Sequence, residues 1–220
     1  MLPHVSQGRS VSAAGRRTLR LVLHAAAALG REEQPDVYRH VHPHGCATAN
    51  LARSFAAAVC PGRGPSLDEL ELAAHLHDFG KYLIPKSILL KPGPLSGAER
   101  AVVSMHPVYG YQVLSGLTAI TETVRRVALY HHERWDGAGY PEGLEGTRIP
   151  LAARLVAICD VYTSLRARRS YKPTLTKREA VAEVGRMAGR ELDPDLTRDF
   201  LKFIGAYEQG GGGRVPGRSG

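Results

Sequence analysis

Apolar positions along the chain recur at helical spacing and nowhere settle into the two-residue alternation of a strand. Residues 16–30 predict a helix closed by Gly30, and Arg31–Asp36 reads as a polar connection. A second helix is expected from Pro43 or His44 to Val59, with proline in its first turn. Ser66 with Glu69 three residues on forms a capping box and opens a third, carrying Leu70, Ala73, Ala74 and His77 on one face. After a loop, Ser96 and Glu99 repeat the box and start a helix that reaches His106, and Pro107 starts the next, over Val108–Leu114. Thr121–Arg134, Leu151–Arg168 and Thr176–Ala188 follow, then a short final helix within residues 192–204. Residues 135–150 are rich in Gly and Pro and have no period. The pattern predicts an all-α helical bundle. Residues 1–35 form an N-terminal segment with one helix, residues 36–206 the domain, and residues 207–220 a flexible Gly-rich tail.

Composition bounds the function. Of the 220 residues 43% are apolar and 23% charged, as in a soluble globular domain. The net charge of +8 favours an anionic partner: nucleic acid, nucleotide or acidic membrane. No lysine-rich arm with interleaved aromatics occurs, so a nucleic-acid reader is not expected. No apolar stretch reaches the ~18 residues of a membrane span. Leu19–Leu29 is short, is interrupted by Arg20 and His24, and reads as an amphipathic helix rather than a signal peptide. Three cysteines without a Cys-x-x-Cys pair suit a reduced, cytoplasmic protein.

The chemistry lies in histidines and aspartates at apolar faces or ends of the helices: His44, His77, His106, His131 and His132, with Asp78 and Asp160. A buried carboxylate needs a cation or strong donors, and a bundle builds a metal site from such inward-facing side chains. Adjacent residues on a helix point about 100° apart, so His131-His132 and His77-Asp78 fit more than one metal better than one. Asp78 can bridge two ions with its two oxygens. Imidazole mixed with carboxylate suits Fe, Mn, Zn or Co, and two metals roughly 3.5–4 Å apart can clamp a phosphate. Lys81 would then neutralise a phosphate oxygen.

In this order, "HDFGK" and "HHERWDGAGYPEGLEGTRIP" resemble the signatures of the HD-GYP domains, a branch of the HD superfamily of metal-dependent phosphohydrolases. "KPGPLSGAER", "CDVYTSLRARRSYK" and "LDPDL" are similar to further segments of that branch. The resemblance implies an HD-type bundle with two transition-metal ions, iron or manganese, hydrolysing cyclic di-GMP to linear pGpG and in some members on to GMP. It implies His44, His77, Asp78, His106, His131, His132 and Asp160 as ligands, with Asp78 as the bridge, and Lys81 on the scissile phosphate. Gly139, Tyr140, Arg169 and Lys172 would bind substrate, and the GYP loop would receive a regulatory or diguanylate-cyclase partner.

Two positions depart from the family. His40 stands where some members carry the glutamate of a third metal site, so the expected number of metals is two, with His40 a candidate extra ligand. Thr163-Ser164-Leu165 stands where Asp-Ala-Leu is usual, close to Asp160, so an altered surround of that ligand is expected. The alternatives are a cyclic-dinucleotide-binding or partner-docking module with little turnover, and an HD phosphohydrolase for another nucleotide.

Overall fold

The computed structural model describes residues 34–62, 64–167 and 174–209. The helix predicted over residues 16–30 lies outside them, as do Arg169 and Lys172. The described residues form α1 (Pro35–Val59), α2 (Leu67–Leu76), a 3-10 turn (Phe79–Leu83), α3 (Lys86–Leu89), α4 (Gly97–Val103) and α5 (His106–Ser115). These are followed by α6 (Glu122–Tyr130), a 3-10 turn (Gly146–Arg148), α7 (Leu151–Arg166), α8 (Lys177–Arg186) and α9 (Pro194–Gln209). Among these residues only two isolated bridges, Asp136 with Glu145 and Ala188 with Leu192, have β character.

α1 is longer than its expected span. Pro35, not Pro43, occupies the first turn, where its missing N–H costs nothing, and Pro43 lies inside the helix. One backbone bond is forfeited there. Burial of Val37, Val41, Gly45, Thr48, Ala52 and Phe55 along one stripe holds the helix continuous. α9 is also longer than expected and runs three residues into the presumed tail, because Tyr207 continues its apolar stripe and meets the Phe203 ring at a tilt, 5.0 Å between centroids. The Ser96–Glu99 capping box is present as expected, and Ser66 accepts from the Glu69 N–H without the reciprocal bond. The loop after the 3-10 turn contains the single turn of α3, where no helix was expected.

α1 packs along α2 and α7; α6 packs on α2 and α5; α9 closes over α1 and α7. Their shared core centres on Phe55, Leu70, Leu72, Leu155, Ile158 and Phe200. Phe55 meets Phe200 edge to face at 5.1 Å, which ties the last helix to the first. Asp193 caps α9 by accepting from the Asp195 and Leu196 N–H groups and pairs with Arg154 at 2.6 Å.

Candidate metal centre

The site lies where helices end. α2 stops at Leu76, His77 is its cap, and the chain tightens through Asp78 into the 3-10 turn. Four-residue spacing therefore does not put Lys81 over His77. The turn brings Lys81 to Asp78 instead, Nζ to Oδ2 at 2.6 Å. The turn packs directly on α5, whose first residue is His106. Gly80 makes this possible: a Cβ there would lie 1.9 Å from the His106 carbonyl oxygen and 2.6 Å from the Gly110 nitrogen. α6 ends at Tyr130, so His131 and His132 follow it as cap and turn. His44 comes from the middle of α1 and Asp160 from α7.

Three rings are oriented by one device. Nδ1 of His77 donates to the Ala74 carbonyl at 2.6 Å, that of His106 to Val103 at 2.8 Å, and that of His131 to Ala128 at 3.0 Å. A carbonyl only accepts, so each Nδ1 carries a proton and each Nε2 is aimed inward as a donor atom for a cation. These side chains and Asp78 are buried.

The donors fall into two groups, each with ligand atoms within 4.8 Å of one another: Asp78, His106, His131 and His132, and His44, His77 and Asp160. Asp78 lies between them. Its Oδ1 is 3.2 Å from His106 Nε2 and 3.7 Å from His131 Nε2, and its Oδ2 is 3.3 Å from His77 Nε2. Asp160 Oδ1 is 2.6 Å from His44 Nε2 and 3.7 Å from His77 Nε2. His40 is exposed one turn before His44, lines the adjoining cavity, and belongs to neither group.

The donor set fits a transition metal. His77 Nε2 and Asp78 Oδ1 are buried without a hydrogen-bond partner. His106 and His131 turn their Nε2 atoms on each other at 3.3 Å, two lone pairs that repel unless a cation lies near. Orphaned buried polar atoms aimed at common points are what a metal satisfies.

Electrostatics agree. Burial opposes the charge of Asp78, but Lys81 and His77 hold its carboxyl well below the usual range. Burial likewise opposes Asp160, yet the His44 hydrogen bond and the His77 charge keep it ionised. Burial would neutralise His77, but Asp78, then Asp160, override it and push the ring up to about 9. Burial and neighbouring rings push His131 down to about 4 and His132 well below its ordinary value. Without a metal, a proton on His77 stands where positive charge is wanted.

A cavity of about 790 Å³ opens beside both groups, lined by Lys81, His40, Tyr140, Ser164, Arg39 and Arg166 among others. The Tyr140 ring stacks on His132 at 5.0 Å. Gly139 backs onto the chain at Glu133–Arg134, where a Cβ would come within 2.3 Å of the Arg134 nitrogen. Thr163 bonds Thr48 of α1 at 2.9 Å and donates to the Asp160 backbone carbonyl at 3.1 Å, and Ser164 donates to Asp160 Oδ1 at 3.3 Å, so both changed positions of the usual segment contact Asp160.

Sequence reasoning missed Glu133. Glu133 is buried and accepts from the Glu142 and Leu144 N–H groups at 2.7 and 3.0 Å, fastening the Gly-rich loop under the site. Its signal was an acid directly after two candidate ligands and before a loop full of backbone donors. Arg166 lies in the segment "CDVYTSLRARRSYK" quoted above, three residues before Arg169, and lines the cavity.

The sequence profile of the HD domain matches residues 27–196. The chain belongs to the HD domain family. Among curated relatives, the cyclic di-GMP phosphodiesterase response regulator RpfG of Xanthomonas campestris pv. campestris is 45% identical over 141 residues, covering 64% of this chain and 37% of that protein. The 3'3'-cGAMP-specific phosphodiesterase 2 of Vibrio cholerae is 40% identical over 136 residues, 61% of this chain and 26% of that protein. This HD chain thus spans less than half the length of either relative. Bd1817, described as a HDG"Y"P protein from Bdellovibrio bacteriovorus, shares the fold with a TM-score of 0.62 at 20% identity, over 87% of this chain and 61% of that one. The HD and GYP segments both lie within the residues that the HD domain profile matches.

Proposed function

We propose that this HD domain is a two-metal phosphodiesterase that hydrolyses cyclic di-GMP to linear pGpG. The observation that carries the reading is the pair of donor groups beside a cavity of about 790 Å³, with Asp78 of one group 3.3 Å from His77 of the other. His106, His131 and His132 would hold one ion, His44, His77 and Asp160 the other, and Asp78 both; iron or manganese suits these donors. When bound, the metals supply a nucleophile at neutral pH and offset charge on the phosphate. Lys81 reaches from Asp78 into the cavity, where its ammonium meets a phosphate oxygen as charge builds there. Arg166 is held by its bond to the Leu175 carbonyl and lines the same cavity. A cyclic dinucleotide has a second phosphate that the metals cannot reach, and a guanidinium suits it. Arg169, Lys172, Gly139 and Tyr140 are proposed to complete the substrate site, and the GYP loop to receive a protein partner.

The second reading, a domain acting on 3'3'-cGAMP, is favoured by the relative that carries that name. Turnover of cyclic di-GMP and 3'3'-cGAMP by anaerobically purified protein, with metal analysis of the same sample, tests both. No hydrolysis of either substrate by fully metallated protein would leave a binding module. Lys81→Ala is expected to retain its metals and lose about 10²–10³ in rate, the scale of one charge stabiliser. Loss of metal along with rate would make Lys81 a support of Asp78 alone.

A linkage effect follows from His77. Its folded pKa of about 9 stands above the ordinary 6.5, so the metal-free ion pair stabilises the fold fully below about 6.5 and loses this as pH rises through 9. A metal at Nε2 must displace that proton. Loading near pH 7 should therefore release a proton from His77, and this part of the release should vanish near pH 10. Calorimetry in buffers of different ionisation enthalpy measures it; a release unchanged across that range refutes the protonated His77.

A further inference from the structure

A second cluster of metal-ligating side chains lies on the opposite flank of the helices that carry His44 and His77. His42 and Cys46 are one turn apart on α1, and His75 is in the last turn of α2. Residues two apart on a helix point about 200° apart. His42 and Cys46 therefore share a face turned away from His44, and His75 is turned from His77 in the same manner. The helices cross closely enough to join the three. At Gly45 an added Cβ would lie 2.7 Å from the His75 carbonyl oxygen, so glycine lets α1 settle on the end of α2.

His42 Nε2 is 3.5 Å from Cys46 Sγ, and the His42 and His75 rings meet edge to face at 5.0 Å. One donor atom from each residue lies within 4.8 Å of the other two. Tyr38 stacks on His42 at 4.5 Å and fixes its ring plane. All three side chains are half-buried, within reach of solvent yet packed.

We propose that His42, Cys46 and His75 bind one Zn2+, separately from the Asp78 centre. Thiolate with two imidazoles is a softer set than the imidazole and carboxylate of that centre, and selects zinc over iron(II) or manganese. Binding forms one Zn–S and two Zn–N bonds and releases the thiol proton to solvent. Three protein ligands leave a fourth, open position for water, as in exchangeable zinc sites. The ion pins α1 to α2 and so fixes the spacing of His44 and His77 from behind.

The proposal does not depend on the phosphodiesterase reading, because the Asp78 centre contains no sulfur. Adding Co2+ to the full chain with its other metals in place should produce a thiolate-to-cobalt charge-transfer band. The band should be bleached by Zn2+, kept in Cys60→Ser and lost in Cys46→Ser. No band, or a band that persists in Cys46→Ser, overturns the site. A second measurement needs no variant: Zn2+ should block alkylation of Cys46, mapped by mass spectrometry on the unsubstituted protein. Undiminished alkylation of Cys46 at saturating Zn2+ likewise overturns it. Failure of cyclic di-GMP turnover leaves both readouts untouched.

Discussion

Replacing Asp78 by Ala is expected to strip the domain of most of both proposed metals and to lower the proposed cyclic di-GMP hydrolysis by about 10³-fold or more, beyond the scale of losing a single electrostatic stabiliser. The size follows from position. Asp78 faces both donor groups, with Oδ1 toward His106 and His131 and Oδ2 toward His77. Its removal leaves Lys81 without its carboxylate and the His77 proton with only Asp160 nearby. Asp78→Asn keeps the volume but one acceptor oxygen, and should keep roughly one of two metals. Metal analysis of the purified variants decides the matter: full occupancy in Asp78→Ala would dismiss the bridge.

Gly80→Ala is the second large effect, though its side chain would touch no donor. The added Cβ meets backbone, the His106 carbonyl at 1.9 Å and the Gly110 nitrogen at 2.6 Å, and neither can swing aside. The 3-10 turn must lift off α5. Overpacking of this kind costs about 1–3 kcal/mol, and a shift near 1 Å between Asp78 and His106 costs about 10² in rate. Thermal unfolding and turnover should both register it. Gly97→Ala, where a Cβ would meet nothing within 4 Å, serves as the control. Equal behaviour of the two variants would show that the turn has slack.

The reason for a glycine inside His-Asp-Phe-Gly-Lys was not readable along the chain. Periodicity reports which face of one element is apolar, and the Gly80 contact is between two backbones far apart in sequence. The donor set was legible, because histidine and aspartate at apolar positions of five segments violate the ordinary rule for core residues. The helix ends were less so. Continuing α2 through His77 and α6 to Arg134 ignored that both chains turn at their ligands, since a residue's own pattern does not reveal that its ring will bond backward. Pro43 misled in the opposite sense: burial on either side of it outweighs one missing backbone bond. Arg166 lines the cavity, although the sequence reading chose Arg169 and Lys172 of the same basic segment, because a basic run does not say which of its members faces inward.

The backward bonds of His77, His106 and His131 end on carbonyls that α2, α4 and α6 cannot satisfy from within. Each ring thus closes a helix with one nitrogen while offering the other to the centre. Unwinding the last turn of any of these helices swings a ligand away, and pulling a ligand away uncaps a helix. Metal release and fraying are then a single cooperative event, and occupancy of the centre can be read from slowed amide exchange at three helix termini far apart in sequence.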